Sequence, residues 1–171
     1  MALDNPLWHY ALALYAEPGI ESTCLQLQRQ GAAINRLLLA CWLGGRGVVL
    51  DAARWRQLDS AWRTEITEPL RLIRYRVRAL REQQPETGAC YQALRQAELA
   101  AEQVELMQLY HTAIAWPVDP ARAGRALIRG NLISYCRMLS QASDWDELTQ
   151  LADAAAELSG GESELSPGRK Y

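Results

Sequence analysis

Arginines at helical spacing are the residues of this chain with the clearest potential to bind a ligand. Four of them between residues 71 and 81 share one stripe of about 80° at ~100° per residue. A second group follows residue 120 at similar spacing. Guanidinium groups bind phosphate and carboxylate oxygens through paired hydrogen bonds. The two groups predict a candidate surface for an anion or a nucleic-acid backbone, built from Arg71, Arg74, Arg78, Arg122, Arg125 and Arg129.

A simpler interpretation pairs the first group of arginines with acids. The predicted sixth helix carries Glu98, Glu102 and Glu105 on a stripe of its own. If the chain folds back between the two helices, Arg74 comes level with about Glu98 and Arg71 with about Glu102. This favours an antiparallel hairpin with surface salt bridges, each contributing only about 0–1 kcal/mol. Aromatic residues do not alternate with the arginines, which weakens the nucleic-acid interpretation.

Polar residues inside apolar helical patterns suggest a second kind of site. Arg76 projects into the apolar side of the predicted fifth helix, between Leu72 and Leu80. A buried arginine is costly unless it is paired, so we expect it to meet a carboxylate or several carbonyl groups. The alternative is a pocket or interface residue. The candidate polar core or pocket consists of Tyr15, Gln28, Asn35 and Arg76.

Motifs for catalysis or cofactor binding are not found in the sequence. Neither His9 nor His111 has a cysteine, histidine or acid at metal-ligand spacing. No G-x-S-x-G turn is present, and the glycines of residues 44–47 match neither a P-loop nor a dinucleotide fingerprint. Those glycines indicate either a small anion nest or a helix end followed by a turn. The sequence predicts no catalytic residue, metal ligand or cofactor, and leans away from an enzyme.

Length and composition fit one cytoplasmic domain. The chain has 171 residues and a formal net charge of −2, so no long-range field favours nucleic acid or membrane lipid. The N-terminus lacks the basic and apolar regions of a signal peptide, and the longest apolar run, residues 37–43, is far below the ~20 residues of a membrane span. Buried free thiols are predicted at all four cysteines, Cys24, Cys41, Cys90 and Cys136.

The elements that must position these residues are helices, because proline, glycine and capping residues divide the chain into helical patterns. The predicted helices span roughly residues 6–16, 20–31, 32–43, 51–66 in one or two pieces, 70–83, 89–115, 119–140 and 143–158. The third is apolar nearly all round and should be central. The predicted fold is all-α, a single bundle of about seven to eight helices in a domain of residues 1–158. Residues 159–171 are expected to form a flexible tail.

A series of short motifs in the first half combines aromatic residues and leucines with glycine, proline and polar positions. They are Leu7-Trp8 with Tyr10, Leu14-Tyr15, Pro18-Gly19, Cys24-Leu25, Leu27-Gln28, Gly31, Ile34-Asn35, Leu37-Leu38, Trp42-Leu43, and Pro69-Leu70-Arg71 with Arg74. Over roughly residues 5–110 the chain resembles a family of small uncharacterised bacterial proteins. The resemblance implies a bacterial, cytoplasmic, helical protein and supplies no catalytic residue. It singles out Gln28, Asn35 and Arg71 as polar positions that need hydrogen-bond partners.

Three functions from different classes stay open at this point. The favoured one is a non-enzymatic adaptor that binds an unknown protein partner through a helical surface. The second is a nucleic-acid or ribosome-associated protein that uses the arginines. The third is a small-molecule enzyme or sensor with a pocket at the polar residues named above. A membrane partner is not expected.

Overall fold

Eight α-helices are found in the part of the chain that the computed structural model describes, residues 2–139 and 146–164. This described part contains no strand, so the all-α prediction is confirmed. The helices are α1 (Pro6–Ala16), α2 (Ile20–Arg29), α3 (Ile34–Gly45), α4 (Ala52–Gln57), α5 (Glu68–Leu80), α6 (Gly88–Ala113), α7 (Arg125–Met138) and α8 (Asp146–Glu164).

The first helix begins where the sequence predicts it, because Asn5 caps it. The Asn5 side chain accepts a hydrogen bond from the Trp8 backbone N–H at 3.1 Å, and Pro6 needs no donor in the first turn. Asp51 caps α4 in the same way, through the N–H of Arg54 at 2.8 Å. Short polar side chains therefore set both helix starts.

Two predicted helix starts differ from the structure. Residues Pro120–Arg122 form only a 3₁₀ turn, and Gly124 at φ +124° separates them from α7. The predicted helix start at Asp119-Pro120 is therefore wrong, and Arg122 is not on α7. A π-helical turn, Arg63–Thr67, runs directly into α5, so that helix starts earlier than predicted.

The last helix continues beyond the predicted domain limit at residue 158. α8 extends past Leu158 to Glu164, so the first residues of the predicted tail belong to this helix. The remaining tail residues, 165–171, and the first three residues of the predicted last helix, 143–145, lie outside the described residues.

The helix that lies at the centre is α3, as its all-round apolar sequence predicts. It packs against α1, α2, α6, α7 and α8, and Leu37, Leu39 and Cys41 are fully buried. Its crossing with α7 is close, because a Cβ atom at Gly44 would lie 2.6 Å from the Cα of Ile128. The glycines near residue 45 therefore serve helix packing and a helix end, which explains them without an anion nest.

Three of the four cysteines are buried free thiols, as predicted, but Cys90 is exposed near the start of α6. The prediction for Cys90 is wrong because its position on α6 faces away from the core. Burial raises the pKa of the Cys24 thiol to about 12 and that of Cys136 to about 11. These thiols are therefore protonated at neutral pH.

Candidate functional site

An ion-pair network joins α5 to α6 at the edge of the fold. The Nε of Arg71 lies 2.9 Å from Oε1 of Glu98, and its Nη2 lies 2.6 Å from Oε1 of Glu102. Arg74 also pairs with Glu98, with its Nη2 donating to Oε1 at 3.2 Å. The hairpin and both of its predicted pairs are therefore present.

These ion pairs are more buried than the sequence suggests. Glu98 is only 5% exposed, and the side chains of Arg71 and Arg74 are 16% and 15% exposed. A buried carboxylate needs such partners, because removing it from water without them would cost several kcal/mol. The network is therefore part of the structure that holds α5 in place, since α6 is the main helix against which α5 packs.

Electrostatics within the network follow from burial and pairing. Burial would lower the pKa of the Arg71 guanidinium, but hydrogen bonds and attraction from Glu98 and Glu102 raise it overall. Burial raises the pKa of Glu102, and Arg71 opposes this shift. Burial also raises the pKa of Glu105, where a hydrogen bond from Asn35 works in the opposite direction.

The apolar side of α5 faces solvent, opposite to the usual orientation of an amphipathic helix. Leu72 is 57% exposed, Ile73 44% and Leu80 43%, and no residue of α5 is buried. Arg76 lies among them and is exposed. We call Leu72, Ile73, Arg76 and Leu80 the outer face of α5. The arginine side turns inward because its carboxylate partners are on α6.

The prediction that Arg76 is buried and paired is therefore wrong. Its helix presents the apolar side to water, so its guanidinium stays hydrated. The arginine that meets the predicted requirement is Arg36 on α3, which is 5% exposed. Its Nη2 donates to Oδ1 of Asp59 at 2.8 Å and to the Leu58 carbonyl at 3.2 Å.

A cavity of about 630 Å³ lies between α1–α3 on one side and α5–α6 on the other. It contains most of the remaining predicted residues, Tyr15, Gln28, Asn35, Arg71, Arg74 and Arg78. A second cleft of about 510 Å³ shares Gln28, Arg71 and Arg78 with it. Together they form one groove between α2 and α5, which we call the α2–α5 groove. Arg76 lines neither part.

Polar contacts hold the predicted residues in this groove. The hydroxyl of Tyr75 on α5 donates to Oε1 of Gln28 on α2 at 3.4 Å, a weak link across the groove. The Asn35 side chain donates to the carbonyl oxygen of Glu102 at 3.2 Å. Burial raises the pKa of Tyr15, with nearby Cys24 and acids adding to the effect, so its phenol is neutral.

The second arginine group lies elsewhere on the fold. Arg122 lines a separate cleft with Asp51 and Asp119, and Arg125 pairs with Asp153 of α8. Arg129 is half-buried on α7. None of the three lines the α2–α5 groove. The six predicted arginines therefore do not form one continuous surface in the groove.

Several groove residues were missed by sequence reasoning. Trp8 and Leu12 line the groove from α1 beside the predicted Tyr15, and the spacing of four and three residues already places all three on one helix face. Arg95 and Leu99 on α6 are four residues apart and also line it. Each helical pattern was visible, but which face turns toward the groove depends on tertiary packing.

Two other possibilities, metal binding and membrane insertion, concern residues 2–139 and 146–164. This part holds no group of three or more histidine, cysteine or acidic residues that could bind a metal ion. Within the same residues, none of the helices combines the length and apolar character needed to cross a bilayer.

Comparison with known proteins gives one match. A family model described as "Protein of unknown function (DUF2390)" matches residues 6–109, which is more than half of the chain. That range covers α1–α5 and nearly all of α6, so both walls of the α2–α5 groove belong to the matched part. No curated protein matches, and no solved structure matches.

Proposed function

Because the chain belongs to the DUF2390 family, whose description assigns no activity, we propose a function from the protein's surface. We infer that the protein is a protein-binding module and that its partner docks on the outer face of α5. The observation that carries the proposal is the orientation of this helix. Three of its large apolar side chains, Leu72, Ile73 and Leu80, lie in solvent, while Arg71 and Arg74 face α6.

Burial of this face by a partner would be favourable. Single exposed leucines are ordinary on protein surfaces, but several on one side of one helix mark an interaction surface. Complete burial of such a side chain is worth about 1.5–3 kcal/mol. Leu72, Arg76 and Leu80 recur at four-residue spacing, so a partner helix lying along α5 could cover all of them.

Arg76 determines what kind of partner fits. It makes no ion pair with any described carboxylate. Covering the outer face would remove its charge from water, and a carboxylate must then replace the lost hydration. The four residues of the face include no acid, so a second copy of the same face would add another arginine. The partner is therefore an apolar surface that carries at least one acidic side chain.

The proposal is tested by capture of partners from a nuclease-treated extract of the source organism, with the tagged full-length chain. A partner that supports it is lost with the double variant Ile73→Ser/Leu80→Ser and with Arg76→Glu. It is retained with Met138→Ser, a matched exposed apolar residue on α7 that is 41% exposed. A photo-reactive residue at Leu72 should cross-link to a segment of that partner containing Asp or Glu.

Opposite results would overturn the proposal. A partner recovered equally well with Ile73→Ser/Leu80→Ser binds elsewhere on the chain. Self-association lost with the same variant would assign the outer face to a second copy. A partner captured from an untreated extract but lost after nuclease treatment would transfer the function to nucleic acid.

Nucleic-acid binding by the six arginines stays a prediction with weaker support. Arg71, Arg74 and Arg125 already have carboxylate partners in the structure. Binding a phosphate backbone would require these partners to be exchanged, so little net free energy would be gained. A cytoplasmic location is part of the proposal, and the absence of disulfides among the described cysteines is compatible with it.

A further inference from the structure

Side chains of α5 and α6 face each other at successive helical turns, which we call the levels of the ion-pair network. The third level differs in charge from the first two. Arg71 meets Glu102, and one turn further along α5 Arg74 meets Glu98. The same antiparallel register brings Arg78 level with Arg95 after another turn. Two levels of the ladder therefore pair an arginine with an acid, while the third places two arginines on the same side of the hairpin.

The third level is open to solvent and faces the groove. Arg78 and Arg95 both line the cavity of about 630 Å³, and both are exposed. Neither forms an ion pair with a described carboxylate. The arginines deeper in the cavity are neutralised by Glu98 and Glu102. The uncompensated positive charge of the cavity is therefore concentrated at Arg78 and Arg95, with Glu21 of α2 as the opposing acid on its lining.

Much of the remaining cavity lining is apolar. Trp8, Leu12, Leu25 and Leu38 line the opposite wall, and Leu99 is on α6, one turn from Arg95. Leu12 is 49% exposed, Leu25 36% and Leu99 54%. A cavity with this volume, an apolar wall and a small number of charged groups has the properties of a small-molecule site.

We propose that the α2–α5 groove binds a small amphiphile whose anionic head group bridges Arg78 and Arg95. The head is a carboxylate or a phosphate monoester, which accepts paired hydrogen bonds from guanidinium groups. Its apolar body lies against Leu12, Leu25 and Leu99. The ligand supplies the negative charge that the third level of the ladder lacks, and it covers leucines that are otherwise hydrated.

The first experiment is a fluorescence titration of the full chain with 8-anilinonaphthalene-1-sulfonate, an anionic probe with an apolar body. The wild-type chain should enhance its fluorescence, and dodecanoate or dodecyl phosphate below the micelle concentration should displace it. Dodecyltrimethylammonium, which has the same tail and the opposite charge, should not. Inorganic phosphate alone should be a poor competitor, since it lacks the apolar body.

Variants then locate the site. Arg78→Ala and Arg95→Ala should each weaken binding about 10-fold, because each removes a charge-assisted hydrogen-bond donor. Arg95→Lys keeps the charge and should retain more affinity than Arg95→Ala. Arg95→Glu places an acid opposite Arg78 and should abolish binding. Leu12→Ser tests the apolar wall and should also weaken it.

The control is Ile73→Ser/Leu80→Ser, which changes the outer face of α5 and leaves the groove intact. Unchanged probe binding by this variant supports the groove, and loss of binding would place the probe on the outer face instead. The inference is also overturned if the wild-type chain gives no enhancement, if the cationic amphiphile competes equally, or if Arg95→Glu binds as well as the wild type. Circular dichroism establishes that each variant is folded. None of these outcomes depends on the protein partner proposed above.

Discussion

Two leucine-rich helices of this chain, α3 and α5, have opposite relations to water. α3 is enclosed by five other helices, and its leucines are almost completely buried. α5 packs mainly on α6, and two of its three leucines, Leu72 and Leu80, are exposed to solvent. This difference shows that acidic residues on a neighbouring helix can determine which side of a helix faces the protein. The carboxylate partners of the α5 arginines are on α6, so the arginine side turns inward and the apolar side turns outward.

The largest expected effect comes from truncating one leucine in each helix. Leu39→Ala removes a side chain that is 0% exposed and should lower the free energy of unfolding by about 3–5 kcal/mol. Leu72→Ala removes the same atoms from a position that is 57% exposed and should change it by less than about 0.5 kcal/mol. Urea denaturation measures both. Comparable losses would contradict the contrast between the helices.

A smaller but still clear effect is expected at the centre of the ion-pair network. Glu98→Gln keeps the shape of the side chain but removes the charge that Arg71 and Arg74 share. The free energy of unfolding should fall by about 2–3 kcal/mol, since Arg74 loses its carboxylate partner and Arg71 keeps only Glu102. Glu86→Gln, at an exposed acid in the turn before α6, is the matched control. Equal stability of the two variants would show that the network does not hold α5.

The pH dependence of stability provides a third test. Burial raises the pKa of Glu105 above its ordinary value of 4.5, so the folded state binds this proton more tightly than the unfolded state. Its contribution to stability is therefore present at low pH and is lost as pH rises through the folded-state pKa. Glu105→Gln should gain stability over the wild type as pH increases from 4 to 7. Parallel pH profiles of the two proteins would contradict this account.

The smallest effect is expected at the exposed ion pair between Arg125 and Asp153. Both side chains are well hydrated, with 58% and 43% exposure, so solvent screens their attraction. Arg125→Ala should leave the urea midpoint unchanged within error. Arg74→Ala, which removes an arginine from the buried network, should shift it visibly. A large effect at Arg125 would mean that burial is not what distinguishes the two sites.

Much of the fold can be predicted from the sequence because its signals are local. The Asn5-Pro6 cap and the apolar character of residues 37–43 depend on neighbouring residues alone, and both predictions agree with the structure. The pairing of Arg74 with Glu98 follows from helical geometry and a single turn. These features need no knowledge of how distant helices pack.

The candidate site is less predictable because it depends on which way each helix faces. An amphipathic pattern in α5 gives two opposite faces, and burial of the apolar one is the usual outcome. Here the acids of α6 reverse it, so Arg76 lies in solvent and Arg78 lines a cavity. The 3₁₀ turn at Pro120–Arg122 was missed for a related reason, since Gly124 adopts a positive φ and donates its N–H to the Gly44 carbonyl on α3.

The most direct test of the central claim is the rate at which a cysteine at position 72 reacts with a maleimide in the native protein. The chain supplies its own references, because Cys90 is exposed while Cys24, Cys41 and Cys136 are buried. If the apolar side of α5 faces water, Leu72→Cys reacts as fast as Cys90, with the labelled sites identified by mass spectrometry. A rate as slow as that of the three buried thiols would show that this side of α5 is packed against the protein, and the proposed docking face would not exist.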